Sequence, residues 1–287
     1  MSNNAAGVDV SRVQTRDGLS LHVTARGPAD AAVIILVHGF PDASQVWDGV
    51  AEELSARWRV VTYDVRGAGA SEAPATRDGY AMELLADDLF RVKAAVSATR
   101  RAHLVAHDWG SIQSWEAITD DRAPAQFATF TSISGPCLDH IGHWLRRAHK
   151  HPLLGMKQAL KSGYIYAFHL PKVPELVMGS RAARRLLEGG ASFRRDGANG
   201  VNLYRENMRQ HLFHPRQRRT DIPVLLLVPL RDPFVSPVLL AEVELWASDV
   251  TRRELDAGHW VPRTHPQQVA AEIAAFAEQR QRATLGR

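Results

Sequence analysis

Short runs that are apolar at nearly every position, alternating with stretches of helical spacing, constrain this chain more than any other feature. Val33-Ile34-Ile35-Leu36-Val37 has no polar side chain on either face, and a strand of that kind must be covered on both sides. Leu21 to Thr24, Val60 to Tyr63, His103 to Ala106, Phe127 to Ile133, Val224 to Val228 and Val250 to Leu255 also read as strands. Between them, apolar residues fall at helical intervals. Trp47, Val50 and Leu54 form one such set, and Leu85, Leu89, Val92 and Val96 another. Val269, Ile273 and Phe276 form a third, behind a proline (Pro266) suited to a first helical turn. Strand–helix alternation predicts an α/β fold with a mostly parallel central sheet flanked by helices.

The alternation stops at Cys137 and resumes after Thr220. The intervening stretch reads as helices and loops, broken by Pro152, Pro171, Pro174, Gly189-Gly190 and Gly197. We therefore expect a helical cap inserted between core strands six and seven. Residues 1–136 would form the first part of the core, 137–220 the cap and 221–287 the second part. The cap has its own charge balance. From Leu138 to Thr220 there are 16 Lys and Arg against 5 Asp and Glu, whereas the whole 287-residue chain holds 35 against 31. A basic segment points to anionic partners, among them an anionic lipid surface, or to a solvated helical face. No recognised binding motif accompanies the charge, so nucleic acid is not an expected partner.

Cys137 has no second cysteine to pair with, which suits a reducing, cytoplasmic setting. The N-terminus lacks the basic start and apolar core of a signal peptide. The longest apolar runs, such as Ala31 to Val37, fall far short of the roughly 20 residues that cross a bilayer.

The chemistry concentrates in Leu104-Val105-Ala106-His107-Asp108-Trp109-Gly110-Ser111. An apolar strand runs through a tight turn with small residues around its tip, then into a helical pattern from Ile112 to Ile118. By itself an Asp after a strand is more often a helix N-cap. Its companions argue for more. The apolar run Val224 to Val228 leads to Asp232, a carboxylate just past a strand end, and later His259 sits on a loop after Gly258. Nucleophile, acid and His then follow one another along the chain. The strand Val33 to Val37 ends in His38-Gly39-Phe40-Pro41-Asp42, a loop able to aim backbone N–H groups at a developing oxyanion.

Together, His38-Gly39-Phe40-Pro41, Tyr63-Asp64-Val65-Arg66-Gly67-Ala68-Gly69-Ala70-Ser71, His107-Asp108-Trp109-Gly110 and Gly258-His259-Trp260 resemble the α/β-hydrolase-fold epoxide hydrolases across essentially the whole chain. The resemblance is strongest to the hydrolase domain of bacterial members fused to a short-chain dehydrogenase domain. A chain ending at Arg287 leaves no room for that second domain, so we expect a stand-alone relative or a shortened one. The resemblance implies that Asp108 attacks an epoxide carbon and that His259, oriented by Asp232, activates water against the resulting ester. It further implies that the amides of Phe40 and Trp109 form the oxyanion hole, and that His38, Pro41 and Trp260 border the substrate. Two cap tyrosines, Tyr164 and Tyr204, would hold the epoxide oxygen, with Tyr166 as the alternative to Tyr164. The implied partners are a hydrophobic or lipid-like epoxide and water; no cofactor and no metal are implied.

Other signals carry less. Asp64 and Arg66 suit a structural turn, and Gly67-Ala68-Gly69 lacks the third glycine of a dinucleotide fingerprint. His140 with His143 and His211 with His214 match no metal motif. Asp139 is an alternative to Asp232 as the acid, Asp256 a turn former and Cys137 a small packing residue. A haloalkane dehalogenase would use the same Asp nucleophile, but Phe40 and the two tyrosines favour the epoxide. A non-catalytic binding protein on the same scaffold is the remaining alternative.

Overall fold

The computed structural model describes residues 7–147, 149, 152–187 and 190–285. Eight strands form one sheet: β1 (Asp9–Gln14), β2 (Ser20–Arg26), β3 (Val33–Val37), β4 (Arg59–Tyr63), β5 (Ala102–His107), β6 (Phe127–Ile133), β7 (Val224–Pro229) and β8 (Val250–Leu255). Their spatial order is β1-β2-β4-β3-β5-β6-β7-β8. The pairs β1–β2 and β2–β4 are antiparallel and all others parallel. The sequence reading missed β1. Four of its first five residues are exposed, so no apolar pattern marks it, and it forms through its ladder to β2.

The expected helices α1 (Asp48–Ser55), α2 (Met82–Val96), α3 (Trp109–Ile118) and, at the C-terminus, α12 (Pro266–Leu285) cover the sheet. Short helices α4 (Ala123–Gln126) and α11 (Val261–Thr264) join neighbouring elements. Alternation along the strands divides the core in two. Ile35, Val37, Leu104, Ala106 and Leu226 pack with Leu89, Val92 and Trp115 of α2 and α3. Ile34, Leu36, Val105, Leu225 and Leu227 pack with Val50, Leu54, Val269 and Ile273 of α1 and α12. All five β3 side chains are therefore buried, each contributing roughly 1.5–3 kcal/mol.

Between β6 and β7 lie only helices among the described residues: α5 (Leu138–Arg147), α6 (Pro152–Lys161), α7 (Gly163–Phe168), α8 (Val173–Met178), α9 (Arg181–Leu186) and α10 (Phe193–Phe213). Gly189, half of the expected Gly189-Gly190 break, lies outside the described residues. The 21-residue α10 packs against α5 and α8, and Asn207 ties it to the core. Asn207 Oδ1 accepts from the Met82 amide at 2.9 Å, and its Nδ2 donates to the Tyr80 carbonyl at 2.9 Å. These helices thus sit over the carboxyl ends of the parallel strands, where α/β sheets place their ligands.

Candidate active site

The loops after β3, β5, β7 and β8 converge. Asp108 occupies the turn between β5 and α3 at φ 52° and ψ −126°, backbone that L-residues rarely adopt. The close passage of neighbouring chain makes small residues obligatory there. A Cβ at Gly110 would overlap the carbonyl oxygens of Val37 and His38, and one at Gly39 would overlap the Asp108 carboxylate. The Phe40 amide donates to Asp108 Oδ1 at 2.7 Å, and the Trp109 amide also hydrogen-bonds the carboxylate.

Asp108 Oδ2 faces His259 Nε2 at 3.6 Å, while His259 Nδ1 is 2.8 Å from Asp232 Oδ2. The other Asp232 oxygen accepts from the amides of Phe234 and Val235 at 2.8 and 3.0 Å. These contacts set three protonation preferences. Burial raises the Asp108 pKa to about 6, although His259 and the two amides oppose the shift. Burial also disfavours a charged Asp232, yet its hydrogen bond and ion pair with His259 and the two amides hold it down at about 2. For His259, burial favours the neutral ring, but the Asp232 hydrogen bond and the charge of Asp108 raise its pKa above the ordinary histidine value.

Tyr164 of α7 and Tyr204 of α10 meet above this pair with ring centroids 6.1 Å apart. Tyr204 packs edge-on against Trp109 and Phe40, and Tyr164 against Phe234. Burial and then charge, including that of Asp108, push both phenols above their usual pKa, so both remain protonated donors. Tyr166 is 77 % exposed and turns away, since residues two apart on a helix do not share a face.

His38, expected to border the substrate, is buried at the start of the loop after β3. Its Nε2 accepts from the Val65 amide at 3.0 Å and its Nδ1 donates to the Gly39 carbonyl at 3.0 Å, so both ring nitrogens are engaged by backbone. It shapes the loop that presents Phe40. Pro41 is buried in that loop, after a cis Phe40–Pro41 bond. Trp260 packs against His259 and Phe234, and its indole N–H donates to Asp42 Oδ2 at 2.9 Å.

Asp139 is not the partner of His259. It is 3.1 Å from His211 Nδ1 and accepts from the Arg216 amide at 2.8 Å. Glu116, Asp139 and His211 do bring ligand-type atoms within 4.8 Å of one another. Arg216 and Arg218 already pair with both carboxylates, so the protein itself meets that charge. His140 and His143 each hydrogen-bond a backbone carbonyl. Asp256 pairs with Arg231 at the surface. Cys137 is buried, which pushes its thiol up to about 12. Asp64 accepts from the Ser44 and Ala70 amides, and Arg66 is buried against Asp88 and Asp17.

Sequence reasoning missed several supporting groups. His107 Nε2 is 2.8 Å from the His259 carbonyl, and burial lowers its pKa to about 3, so it holds that loop as a neutral ring. Lys161 Nζ donates to the Asp232 carbonyl at 3.0 Å, linking α6 to the acid loop. Asp42 is half-buried beside Trp260, and desolvation of its carboxyl raises its pKa. Adjacency to Asp108 and Pro41 was the only signal for His107 and Asp42, and nothing local marked Lys161, which is 71 residues from Asp232.

A carboxylate at the tip of a strand–turn–helix elbow, facing a histidine oriented by a second carboxylate, on this sheet, defines an α/β-hydrolase fold. The family model described as alpha/beta hydrolase fold matches residues 32–163. Several known proteins are similar to the chain. It is 34 % identical over 289 residues to the "Probable oxidoreductase EphD" of Mycobacterium tuberculosis, a match covering 93 % of this chain and 49 % of that protein. The chain thus spans about half the length of that relative. It is 25 % identical to "Epoxide hydrolase 3" of Xenopus tropicalis, covering 90 % of this chain and 75 % of that protein. A crystal structure of Bacillus megaterium epoxide hydrolase with an inhibitor superposes with a TM-score of 0.80 at 22 % identity, covering 93 % of this chain and all of that one. No helix among the described residues is long and apolar enough to cross a membrane.

Proposed function

We propose that the chain hydrolyses hydrophobic epoxides to vicinal diols through an ester on Asp108, with residues 137–220 forming the cap. The observation that carries this reading is the pairing of an Asp nucleophile with two phenols, half-buried Tyr164 and buried Tyr204, whose ionisation desolvation and then the Asp108 charge disfavour. The Asp108 carboxylate attacks one ring carbon and the C–O bond of that carbon breaks. The departing oxygen is held by the two hydroxyls and takes a proton from one of them, leaving a phenolate. Water then attacks the ester carbonyl while His259 removes its proton, and the oxyanion rests on the Phe40 and Trp109 amides. Its collapse breaks the acyl C–O bond, which releases the diol and restores the Asp108 carboxylate, and the proton on His259 returns through water to the phenolate. Loss of such a donor typically costs about 3–4 kcal/mol of barrier. Pro41 and Trp260 border the substrate in this reading.

The first step prepares the second. Ester formation neutralises Asp108, which removes one of the charges that raises the His259 pKa. The His259 pKa then falls, so more of the ring is neutral and free to accept a proton when water must be deprotonated. A halide leaving group would gain from indole or amide N–H donors, and a pair of protonated phenols favours the epoxide oxygen instead.

Replacing His259 by Gln should separate the two steps. The variant should accumulate intact-protein adducts heavier than the free chain by the mass of the epoxide, while diol formation stops. A variant that binds substrate but never carries such an adduct contradicts the scheme.

A further inference from the structure

The helices above the site turn a second surface outward. Leu153, Met156 and Leu160 of α6 are exposed at i, i+3 and i+7, hence on one face. In α7, Tyr164 points to the site whereas Tyr166 faces solvent, and exposed Leu170 and Leu176 continue through α8. The helix α7 packs against both α6 and α8, so these side chains belong to one region. Exposed apolar side chains gathered in one region and rimmed by polar residues mark interaction surfaces. This one is set among exposed cations: Lys157, Lys172, Arg181 and Arg185. The sole carboxylate in the sequence between residues 152 and 187 is Glu175, which pairs with Arg205.

We propose that this face docks on an anionic lipid bilayer. Apolar side chains flanked by Lys and Arg match an interface in which acyl chains lie beneath negative headgroups. A second copy of the chain fits less well, because the same cations would face each other. Docking would place α7, which carries Tyr164, beside lipid-dissolved substrate; that consequence rests on the epoxide reading, whereas docking itself does not.

Flotation of the full chain with vesicles tests the proposal. The protein should float with phosphatidylcholine vesicles containing phosphatidylglycerol, float poorly with phosphatidylcholine alone, and be released by salt. Lys157→Gln with Lys172→Gln should weaken partitioning roughly 25-fold, about fivefold per charge. Leu153→Gln with Leu160→Gln should weaken it at least about tenfold. Both variants should hydrolyse a small water-soluble epoxide at the parental rate, which checks that they fold. Equal flotation on neutral vesicles, no flotation at all, or variants that float like the parent would overturn the proposal. So would a parent dimer that the leucine variant dissociates in the absence of vesicle binding. A parent that floats but forms no diol leaves the docking face standing and removes the epoxide reading instead.

Discussion

Asp108 is held where its charge is unfavourable, and this has a measurable consequence without any substrate. Burial raises its pKa from 3.8 to about 6 in the folded chain. Below the lower value both folded and unfolded chains are protonated at this carboxyl, and it adds no pH dependence. Between the two values the folded chain keeps a proton that the unfolded chain has released, so stability falls as pH rises. Above about 6 the full cost persists, and roughly two pKa units correspond to about 3 kcal/mol. Asp108→Asn keeps the shape, removes the charge, and leaves a carbonyl oxygen to accept from the Phe40 amide. We expect the variant to be more stable than the parent by up to about 3 kcal/mol at pH 8, with the gain shrinking to nothing near pH 4. At ~2–4 °C per kcal/mol, that is a rise in Tm of roughly 6–12 °C at pH 8. Thermal unfolding followed by circular dichroism between pH 4 and 8 reads it directly. A variant less stable than the parent at pH 8, or a difference that does not change with pH, refutes the reasoning.

Tyr164→Phe combined with Tyr204→Phe should slow alkylation of Asp108 by roughly 10²–10³-fold, far more than either single change. Stopped-flow Trp fluorescence would follow the step, and a double variant alkylated at the parental rate contradicts the assignment of both hydroxyls. Arg66→Met should destabilise the fold by about 3–5 kcal/mol at pH 8, because Asp88 is left buried without its cation. Burial already raises the Asp88 pKa to about 6 against the pull of Arg66, and losing Arg66 raises it further, so the loss measured by urea unfolding should diminish as pH falls from 8 towards 6 and level off below that. A constant loss across pH would mean that packing, not charge, is Arg66's contribution.

The sheet was legible where both faces are buried, because strands such as β3 and β7 must then be apolar at every position. It was illegible at β1, where only Val13 is buried and pairing with β2 makes the strand. Asp108, Asp232 and His259 were legible because the turn, strand-end and loop contexts are local in sequence. The choice between Asp232 and Asp139 was not, since it depends on which carboxylate meets His259 in space; Asp139 is taken by His211 and Arg216. The bracing role of His38 was not legible, because a ring's hydrogen-bond partners cannot be read from its neighbours in the chain. Its two backbone bonds make it a brace for the Phe40 loop. Tyr164 and Tyr166 were separable only once helix α7 fixed which of them points inward.

The most direct test of the whole account is a single turnover in ¹⁸O-water with enzyme in excess. If Asp108 is esterified and then attacked at its carbonyl carbon, the heavy oxygen should appear in the peptide containing Asp108, and the first diol should carry none. Label found only in the diol, with an unlabelled Asp108 peptide, would mean that water opens the epoxide directly and that Asp108 is never alkylated.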